Sequence, residues 1–232
     1  MTMVDHSDES REPGAYASPA CFMHEVDPNY FGLASGTAAG QLDNIVRWRK
    51  NERKRLIAQR LAISNDERRD RAQHIGAHLD ALVPDLAEIS VSLYWPFRGE
   101  PDLRGWAEAI RARGATCALP VVLEKNAPLI FRLWRAGEPL ALGVWNIPIP
   151  ANSPEVVPDV VIAPVVGFDR QGYRLGYGGA FYDRTLAALT KKPRAVGVGY
   201  SQAAIATIYP LHHDIPMDVI VTEEGIVERS AS

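Results

Sequence analysis

The chain has 232 residues, of which 47% are hydrophobic, and its formal net charge is −3 at pH 7. This length is sufficient for one α/β domain with a substantial core. The composition predicts no nucleic-acid partner and no membrane partner, and no apolar run approaches the roughly 18 residues of a membrane span. Two cysteines, Cys21 and Cys117, are too few for a disulfide framework or a cysteine metal cluster. We therefore expect a cytoplasmic protein that is a monomer or a small homo-oligomer.

Residues 1–40 differ from the rest of the chain in composition. The first part of this segment is polar and has no periodicity, and its acidic residues argue against a mitochondrial transit peptide. The stretch 34–40 contains mostly small residues. We predict a flexible N-terminal extension over 1–40 and a single α/β domain over 41–232.

The elements predicted for this domain alternate between helices and strands. Helices are expected at 41–62, from Ser64 onward, at 102–113, at 180–189 and, as a short turn, from Ser201; strands are expected at 87–95, 115–122, 129–134, 160–166, 195–200 and 218–221. This alternation predicts a mostly parallel open sheet with helices on both faces, which is a Rossmann-like three-layer α/β fold. Ligands of such sheets bind beyond the carboxyl ends of the strands.

The first predicted helix is strongly basic. Arg49, Arg53 and Arg60 are spaced by four and seven residues, so they share one helical face and could converge on a polyphosphate. The alternative is a solvated basic face. A nucleic-acid interface is less favoured, because the rest of the sequence supplies no matching basic surface.

A glycine-rich loop follows the most apolar predicted strand, at 160–166. It contains Gly176, Gly178 and Gly179 and leads into the helix predicted at 180–189. A strand, glycine-rich loop and helix in this order expose backbone N–H groups to an anion at the helix N-terminus. The glycines match neither GxxxxGK[ST] nor GxGxxG, so by themselves they favour a tight turn between a strand and a helix.

Charged residues around the loop favour a nucleotide phosphate site over a plain turn. Arg174 and Arg184 bracket the glycines, and Asp183 falls in the first turn of the following helix. A carboxylate beside a phosphate site suits Mg²⁺, which prefers oxygen ligands and retains water.

Residues 174–184, RLGYGGAFYDR, resemble the RLGxGxGYYDR loop of the 5-formyltetrahydrofolate cyclo-ligase family. Further segments resemble this family in the same order along the chain: YWPFRGEPD (94–102), WNIPIP (145–150), PVVGFDRQG (164–172), GVGYSQ (197–202) and HDIPMDVIVT (213–222). The ordered set covers roughly residues 45 to 223 and is much more specific than the loop alone.

The resemblance implies ATP- and Mg²⁺-dependent cyclisation of 5-formyltetrahydrofolate to 5,10-methenyltetrahydrofolate. It implies catalytic roles for Arg174 and Tyr182 and metal binding by Asp183 and Asp218. The implied nucleotide contacts are Arg49, Lys50, Arg53, Arg174, Leu175, Gly176, Tyr177, Gly178, Gly179, Ala180, Phe181 and Tyr182. The implied folate contacts are Trp95, Glu100, Trp145 and Tyr177.

Other interpretations of these residues stay open at the level of sequence. The aromatic residues would serve equally as core, Glu100 as a surface charge and Asp218 as a strand-edge residue. Many family members have Lys where this chain has Gly179, and Gly where it has Ala180. The alternatives are therefore an ATP-binding homologue that acts on another amide-like substrate, and a non-catalytic module that binds RNA or a partner.

Overall fold

The computed structural model describes residues 36–83 and 87–229, which form four α-helices and eleven strands. The helices are α1 (Gly36–Leu61), α2 (Asn65–Leu82), α3 (Arg104–Ala112) and α4 (Phe181–Ala188). The strands are β1 (Ser90–Ser92), β2 (Thr116–Val121), β3 (Ile130–Leu133), β4 (Leu140–Leu142), β5 (Pro148–Pro150), β6 (Val160–Pro164), β7 (Gly167–Phe168), β8 (Arg174–Leu175), β9 (Arg194–Val198), β10 (Val219–Thr222) and β11 (Gly225–Glu228). Residues 1–35, most of the expected extension, lie outside the described residues.

Seven strands form one central sheet in the order β11-β10-β9-β6-β1-β2-β3. The pairs β10·β9, β9·β6, β6·β1 and β1·β2 are parallel, whereas the two edge strands, β11 and β3, are antiparallel to their neighbours. The prediction of a mostly parallel open sheet is confirmed.

Helices cover both faces of this sheet, as predicted for a three-layer fold. On one face, Ile75 and Leu79 of α2 and Ile110 of α3 pack on the strands. On the other face, Leu186 of α4 packs on Val161 and its neighbours. No helix within the described residues is long and apolar enough to cross a membrane.

Several predicted boundaries differ from the structure. Helix α1 begins earlier than expected, at Gly36, and only Ser90–Ser92 of the strand predicted at 87–95 is extended. Ser64 caps α2 by accepting a hydrogen bond from the Glu67 N–H at 3.2 Å. The hairpins β4-β5 and β7-β8 and the edge strand β11 were not predicted, because such short strands carry too few residues for a period to be visible.

The hairpin β7-β8 connects the central strand β6 to the glycine-rich loop. Its turn is fixed by Gly172, which has φ 81° and whose carbonyl accepts a hydrogen bond from the Met217 N–H at 2.8 Å. A Cβ on Gly172 would lie only 2.7 Å from the Met217 carbonyl oxygen. This close backbone approach sets the position of Arg174 at the end of the hairpin.

Substitution of Gly172 by Ala should destabilise the fold by about 2–4 kcal/mol, since strain at positive φ adds to the steric clash. Gly137 is the matched control, because it has φ 85° but open space around the position of a Cβ. Gly137→Ala should cost only about 1 kcal/mol. Urea unfolding of both variants checks this, and equal losses would contradict the role given to the Met217 contact.

Candidate functional site

The glycine-rich loop lies between β8 and α4, next to the carboxyl ends of the parallel strands. Gly178 has φ 103°, a conformation that residues with a side chain rarely adopt. The N–H groups of Gly178, Gly179 and Ala180 donate to no acceptor within the described part of the chain. They precede the N-terminus of α4, so the local geometry fits an anion such as a phosphate.

Helix α1 packs on this loop through Arg53. The Arg53 Nε donates to the Gly176 carbonyl oxygen at 2.6 Å, and the side chain is buried, with 7% of the residue exposed. Its guanidinium carbon lies 3.6 Å from the position that a Cβ on Gly178 would occupy. Arg53 therefore places a positive charge against the loop, as the sequence predicted for a nucleotide contact.

Arg174 and Asp183 form a buried ion pair beside the loop. The Arg174 Nη2 lies 2.9 Å from the Asp183 Oδ2, and the Arg174 Nη1 donates to the Ile215 carbonyl oxygen at 3.1 Å. The Ile215 N–H donates to the Asp183 Oδ1 at 3.0 Å. The loop, α4 and the segment before β10 are thus joined at one point.

The Asp183 carboxylate fits a magnesium ion that is shared with phosphates. Its two hydrogen bonds leave acceptor capacity, because a carboxylate offers about four lone-pair positions. Within the described residues, no three His, Cys, Asp or Glu side chains form a metal-binding group. An ion held by one carboxylate, water and substrate phosphates agrees with the usual behaviour of Mg²⁺.

Asp218 is placed differently from Asp183. Its Oδ2 accepts a hydrogen bond from the Ala195 N–H at 2.7 Å, at the amino ends of β9 and β10. The two aspartates share no hydrogen-bond partner within the described residues. The contacts of Asp218 are those of a strand-edge residue, and its role in metal binding stays a prediction.

Glu100 is buried and contacts the loop. It is 5% exposed, its Oε2 accepts from the Phe97 N–H at 2.9 Å, and its Oε1 accepts from the Tyr177 hydroxyl at 3.0 Å. Burial raises the pKa of the Glu100 carboxyl to about 7, although Arg60, the Phe97 N–H and Tyr177 each lower it. Two of the four predicted folate contacts, Glu100 and Tyr177, are thus in direct contact.

Arg60 was expected with the polyphosphate contacts, but the structure places it at Glu100. Its Nη2 donates to the Tyr177 hydroxyl, and its Nη1 lies 4.0 Å from the Glu100 Oε1. The spacing of Arg49, Arg53 and Arg60 indicated that they share a face. It could not indicate which end of that face lies over the loop and which over Glu100.

Arg49 holds a different segment. It donates to the carbonyl oxygens of Ile208 and Tyr209 at 2.9 and 2.8 Å and pairs with both carboxylate oxygens of Asp214. These contacts fix residues 208–214 against α1. Lys50, the alternative nucleotide contact in this register, is half-buried. The nucleotide roles of Arg49 and Lys50 stay predictions.

The predicted aromatic residues fall into three places. Trp95 packs edge-on against Trp134 and lines a cavity of about 420 Å³ between α3 and the turn after β3. Trp145 packs edge-on against Phe181, with ring centroids 5.8 Å apart. Tyr182 is partly buried, desolvation raises the pKa of its hydroxyl, and the Arg174 guanidinium lies 5.7 Å from its ring centroid.

The two departures from the family loop have different local consequences. Ala180 has φ 49°, so a residue with a Cβ occupies a position that favours glycine. Gly179 is not at positive φ, but a Cβ there would lie 2.7 Å from the Phe181 ring. A side chain at Gly179 therefore requires the ring of Phe181 to move away from Trp145.

Gly179→Lys should weaken ATP use about tenfold, because displacement of Phe181 outweighs the added charge. Gly179→Ala brings the same Cβ without the charge and should give a similar loss. Steady-state kinetics with ATP as the varied substrate compares the two variants. A lower KM for ATP in Gly179→Lys than in the unaltered protein would contradict this account of the loop.

Comparison with known proteins identifies the family to which the chain is similar. The sequence profile of the 5-formyltetrahydrofolate cyclo-ligase family matches residues 45–223. The chain is 28% identical over 176 residues to the 5-formyltetrahydrofolate cyclo-ligase of Escherichia coli (strain K12), which covers 73% of this chain and 97% of that protein. It is 29% identical over 160 residues to the enzyme of the same name from Haemophilus influenzae, across 64% of this chain and 84% of that one.

A solved structure shows the same fold. The NMR structure of 5,10-methenyltetrahydrofolate synthetase from Aquifex aeolicus superposes with a TM-score of 0.69 at 28% identity, over 79% of this chain and 94% of that one. The matched profile spans most of the described domain, including the loop, Glu100 and all five parallel strands. The chain belongs to the 5-formyltetrahydrofolate cyclo-ligase family.

Proposed function

We propose that this protein catalyses the cyclisation of 5-formyltetrahydrofolate to 5,10-methenyltetrahydrofolate, with Mg²⁺-ATP as co-substrate and ADP and phosphate as the other products. The observation that carries the proposal is the hydrogen bond between Glu100 and Tyr177. It joins a buried carboxylate, which can accept from the N–H donors of a pterin, to a loop whose free N–H groups suit phosphates.

The formyl group of the substrate is an amide, so its carbon is a poor electrophile and its oxygen a poor leaving group. The formyl oxygen attacks the γ-phosphorus of ATP, the bond to ADP breaks, and a phosphorylated iminium-like intermediate forms. N10 then attacks the activated carbon, the carbon–oxygen bond breaks, and phosphate leaves with the former formyl oxygen. The proton on N10 is lost to solvent, and the ring is closed.

Phosphoryl transfer requires chiefly that the protein positions the reactants and balances their charge. The loop N–H groups would hold the phosphate oxygens, and Arg53 and Arg174 would balance the negative charge from either side of the loop. Asp183 would hold Mg²⁺, which would neutralise negative charge on the phosphates. We do not assign Asp218 to this site, since its carboxylate bonds the Ala195 N–H and makes no bond to the loop or to Asp183 within the described residues.

Glu100 would orient the pterin so that the formyl oxygen faces the loop. Because Glu100 bonds to Tyr177 of the loop, the loop would set the distance between the bound pterin and the bound phosphates. Trp145 would lie close to the same place through its contact with Phe181 at the start of α4. An orientation fixed in this way replaces an encounter in solution with a reaction between positioned groups.

The structure disfavours the alternative of an RNA-binding module. Such a module would present its arginines to solvent, but Arg49, Arg53 and Arg60 are each at most 7% exposed. They bond to groups of this chain through the contacts already described. Salt-dependent RNA binding without ATP turnover would restore that alternative.

The test is turnover by the purified protein with 5-formyltetrahydrofolate, Mg²⁺ and ATP. We expect the methenyl chromophore and ADP to appear in equal amounts, and neither to appear without ATP. ATP binding without any chromophore would favour a homologue that acts on a different amide-like substrate.

A cytoplasmic location also stays our proposal. It is supported by Cys117, a buried free thiol on strand β2 of the central sheet. Disulfides are rare in that reducing compartment. Fractionation of the source cells with an antibody against the protein would test it.

A further inference from the structure

A buried arginine connects helix α1 with the two residues that join the folate and phosphate regions. Arg60 is 5% exposed and donates through Nε to the Arg98 carbonyl oxygen at 3.0 Å. Its Nη2 donates to the Tyr177 hydroxyl, and that hydroxyl in turn donates to the Glu100 Oε1 at 3.0 Å. The result is a series of hydrogen bonds from Arg60 through Tyr177 that ends on the Glu100 carboxylate.

This series of hydrogen bonds restricts the Glu100 carboxylate on one side. The Phe97 N–H holds the Oε2 at 2.9 Å, while Tyr177 and Arg60 hold the Oε1. Donors in series polarise one another, so the last bond to a carboxylate is strengthened in a water-poor site. Both oxygens retain further lone pairs for a ligand.

We propose that Arg60 is a positioning residue, which through Tyr177 holds Glu100 as a fixed acceptor for the pterin of the folate substrate. This inference rests on the proposed function. It adds a residue for which neither the loop motif nor the segment around Glu100 gave a role. Each of the three guanidinium nitrogens of Arg60 donates to a group of this protein, so we expect Arg60 to act on the substrate through Glu100.

The charged and titratable groups that face Glu100 come from four parts of the fold. Arg60 faces it from α1, Tyr177 from the loop, Tyr182 from α4 and Tyr94 from the segment after β1. Arg60 is the only positive charge among these named groups. Its removal should therefore raise the pKa of Glu100 above its value of about 7.

The protonation state of Glu100 determines how folate affinity changes with pH. The ionised carboxylate accepts from the pterin, so folate affinity falls as pH falls through the pKa of Glu100. Loss of a neighbouring opposite charge moves such a pKa up by about one unit or more. At pH 7 the ionised fraction then drops from about one half to about one tenth.

The experiment measures the Kd of 5-formyltetrahydrofolate without ATP, by calorimetry from about pH 6 to about pH 9, a range that spans the titration. In Arg60→Gln we expect about fivefold weaker binding at pH 7, an affinity midpoint shifted up by about one unit, and recovery to within about twofold at pH 9. Tyr177→Phe keeps the ring and should shift the midpoint in the same direction by less. If Arg60→Gln does not fold, the same measurements on Tyr177→Phe test the inference.

Arg55→Gln is the matched control on the same helix. Arg55 is exposed and paired with Glu52, so its removal should leave the midpoint unchanged. A pH-independent loss in Arg60→Gln and Tyr177→Phe, or no loss in either, would overturn the inference. Absence of folate binding by the unaltered protein would instead overturn the proposed function, and with it this inference.

The free protein gives a readout that does not depend on the substrate. The carboxyl carbon resonance of Glu100, labelled with ¹³C, reports its titration directly. An unshifted titration in Arg60→Gln would contradict the placement of Arg60 next to the carboxylate, whatever the enzyme's substrate proves to be.

Discussion

Asp183→Asn should lower kcat/KM for Mg²⁺-ATP by roughly a hundredfold or more, because several kcal/mol of charge stabilisation depend on the metal. The Kd of 5-formyltetrahydrofolate should change little, since Asp183 contacts Arg174 and Ile215 and not Glu100. The asparagine keeps the size of the side chain and an acceptor for the Ile215 N–H. Kinetics with Mg²⁺ and ATP varied separately measure the effect.

Asp218→Asn provides the matched control, because it makes the same chemical change at the second predicted metal ligand. Its carboxylate bonds the Ala195 N–H at the amino ends of the strands. We expect reduced stability in urea and an unchanged KM for Mg²⁺-ATP. Equal kinetic losses in both variants would show that Asp218 belongs to the metal site after all.

Glu100→Gln should weaken 5-formyltetrahydrofolate binding roughly ten- to a hundredfold, since hydrogen bonds to a charged acceptor contribute about 1.5–3 kcal/mol. Binding of Mg²⁺-ATP should be unaffected. Calorimetric titration with each ligand separates the two effects. An equal loss of nucleotide affinity would mean that Glu100 supports the loop and not the folate.

The same variant should lose its pH dependence. The pKa of Glu100 is raised to about 7, so in the unaltered protein folate affinity should decline as the pH falls through neutrality. Glutamine does not titrate, and its Kd should be flat over this range. A decline that persists in Glu100→Gln would assign the dependence to another group.

The parts of the site that lie in one continuous segment were predictable from sequence. The loop at 174–184 carries its glycines, arginines and Asp183 in one stretch, so the types of group that it offers are visible in the sequence. The order of helices and strands likewise followed from long apolar runs such as 160–166. Both depend on local patterns, which the sequence displays directly.

Contacts between distant segments could not be predicted in the same way. The sequence placed Arg49, Arg53 and Arg60 on one face, but the three side chains reach residues 208–214, Gly176 and Tyr177 respectively. Which of them meets phosphate depends on how α1 crosses the end of the sheet. The same holds for Asp218, whose partner Ala195 is fixed only when β9 and β10 pair.

Short elements were missed for a different reason. The hairpin β4-β5 consists of three-residue strands joined at Trp145 and Asn146, both at positive φ. No period of two marks these short strands, and the glycine of the turn, Gly143, has φ −87° and not the positive φ of the two residues at its centre. The turn nevertheless presents Trp145 to Phe181. A resemblance to WNIPxP segments located the residue, but the backbone alone showed how it reaches the loop.

Transfer of the formyl oxygen is the most direct test of the proposed reaction. The protein would be given 5-formyltetrahydrofolate labelled with ¹⁸O in the formyl group, together with Mg²⁺ and ATP, and the phosphate released would be analysed by mass spectrometry. Our account predicts that the label appears in inorganic phosphate, in an amount equal to the methenyl product formed. Unlabelled phosphate formed alongside the methenyl product, or no turnover at all, would contradict it.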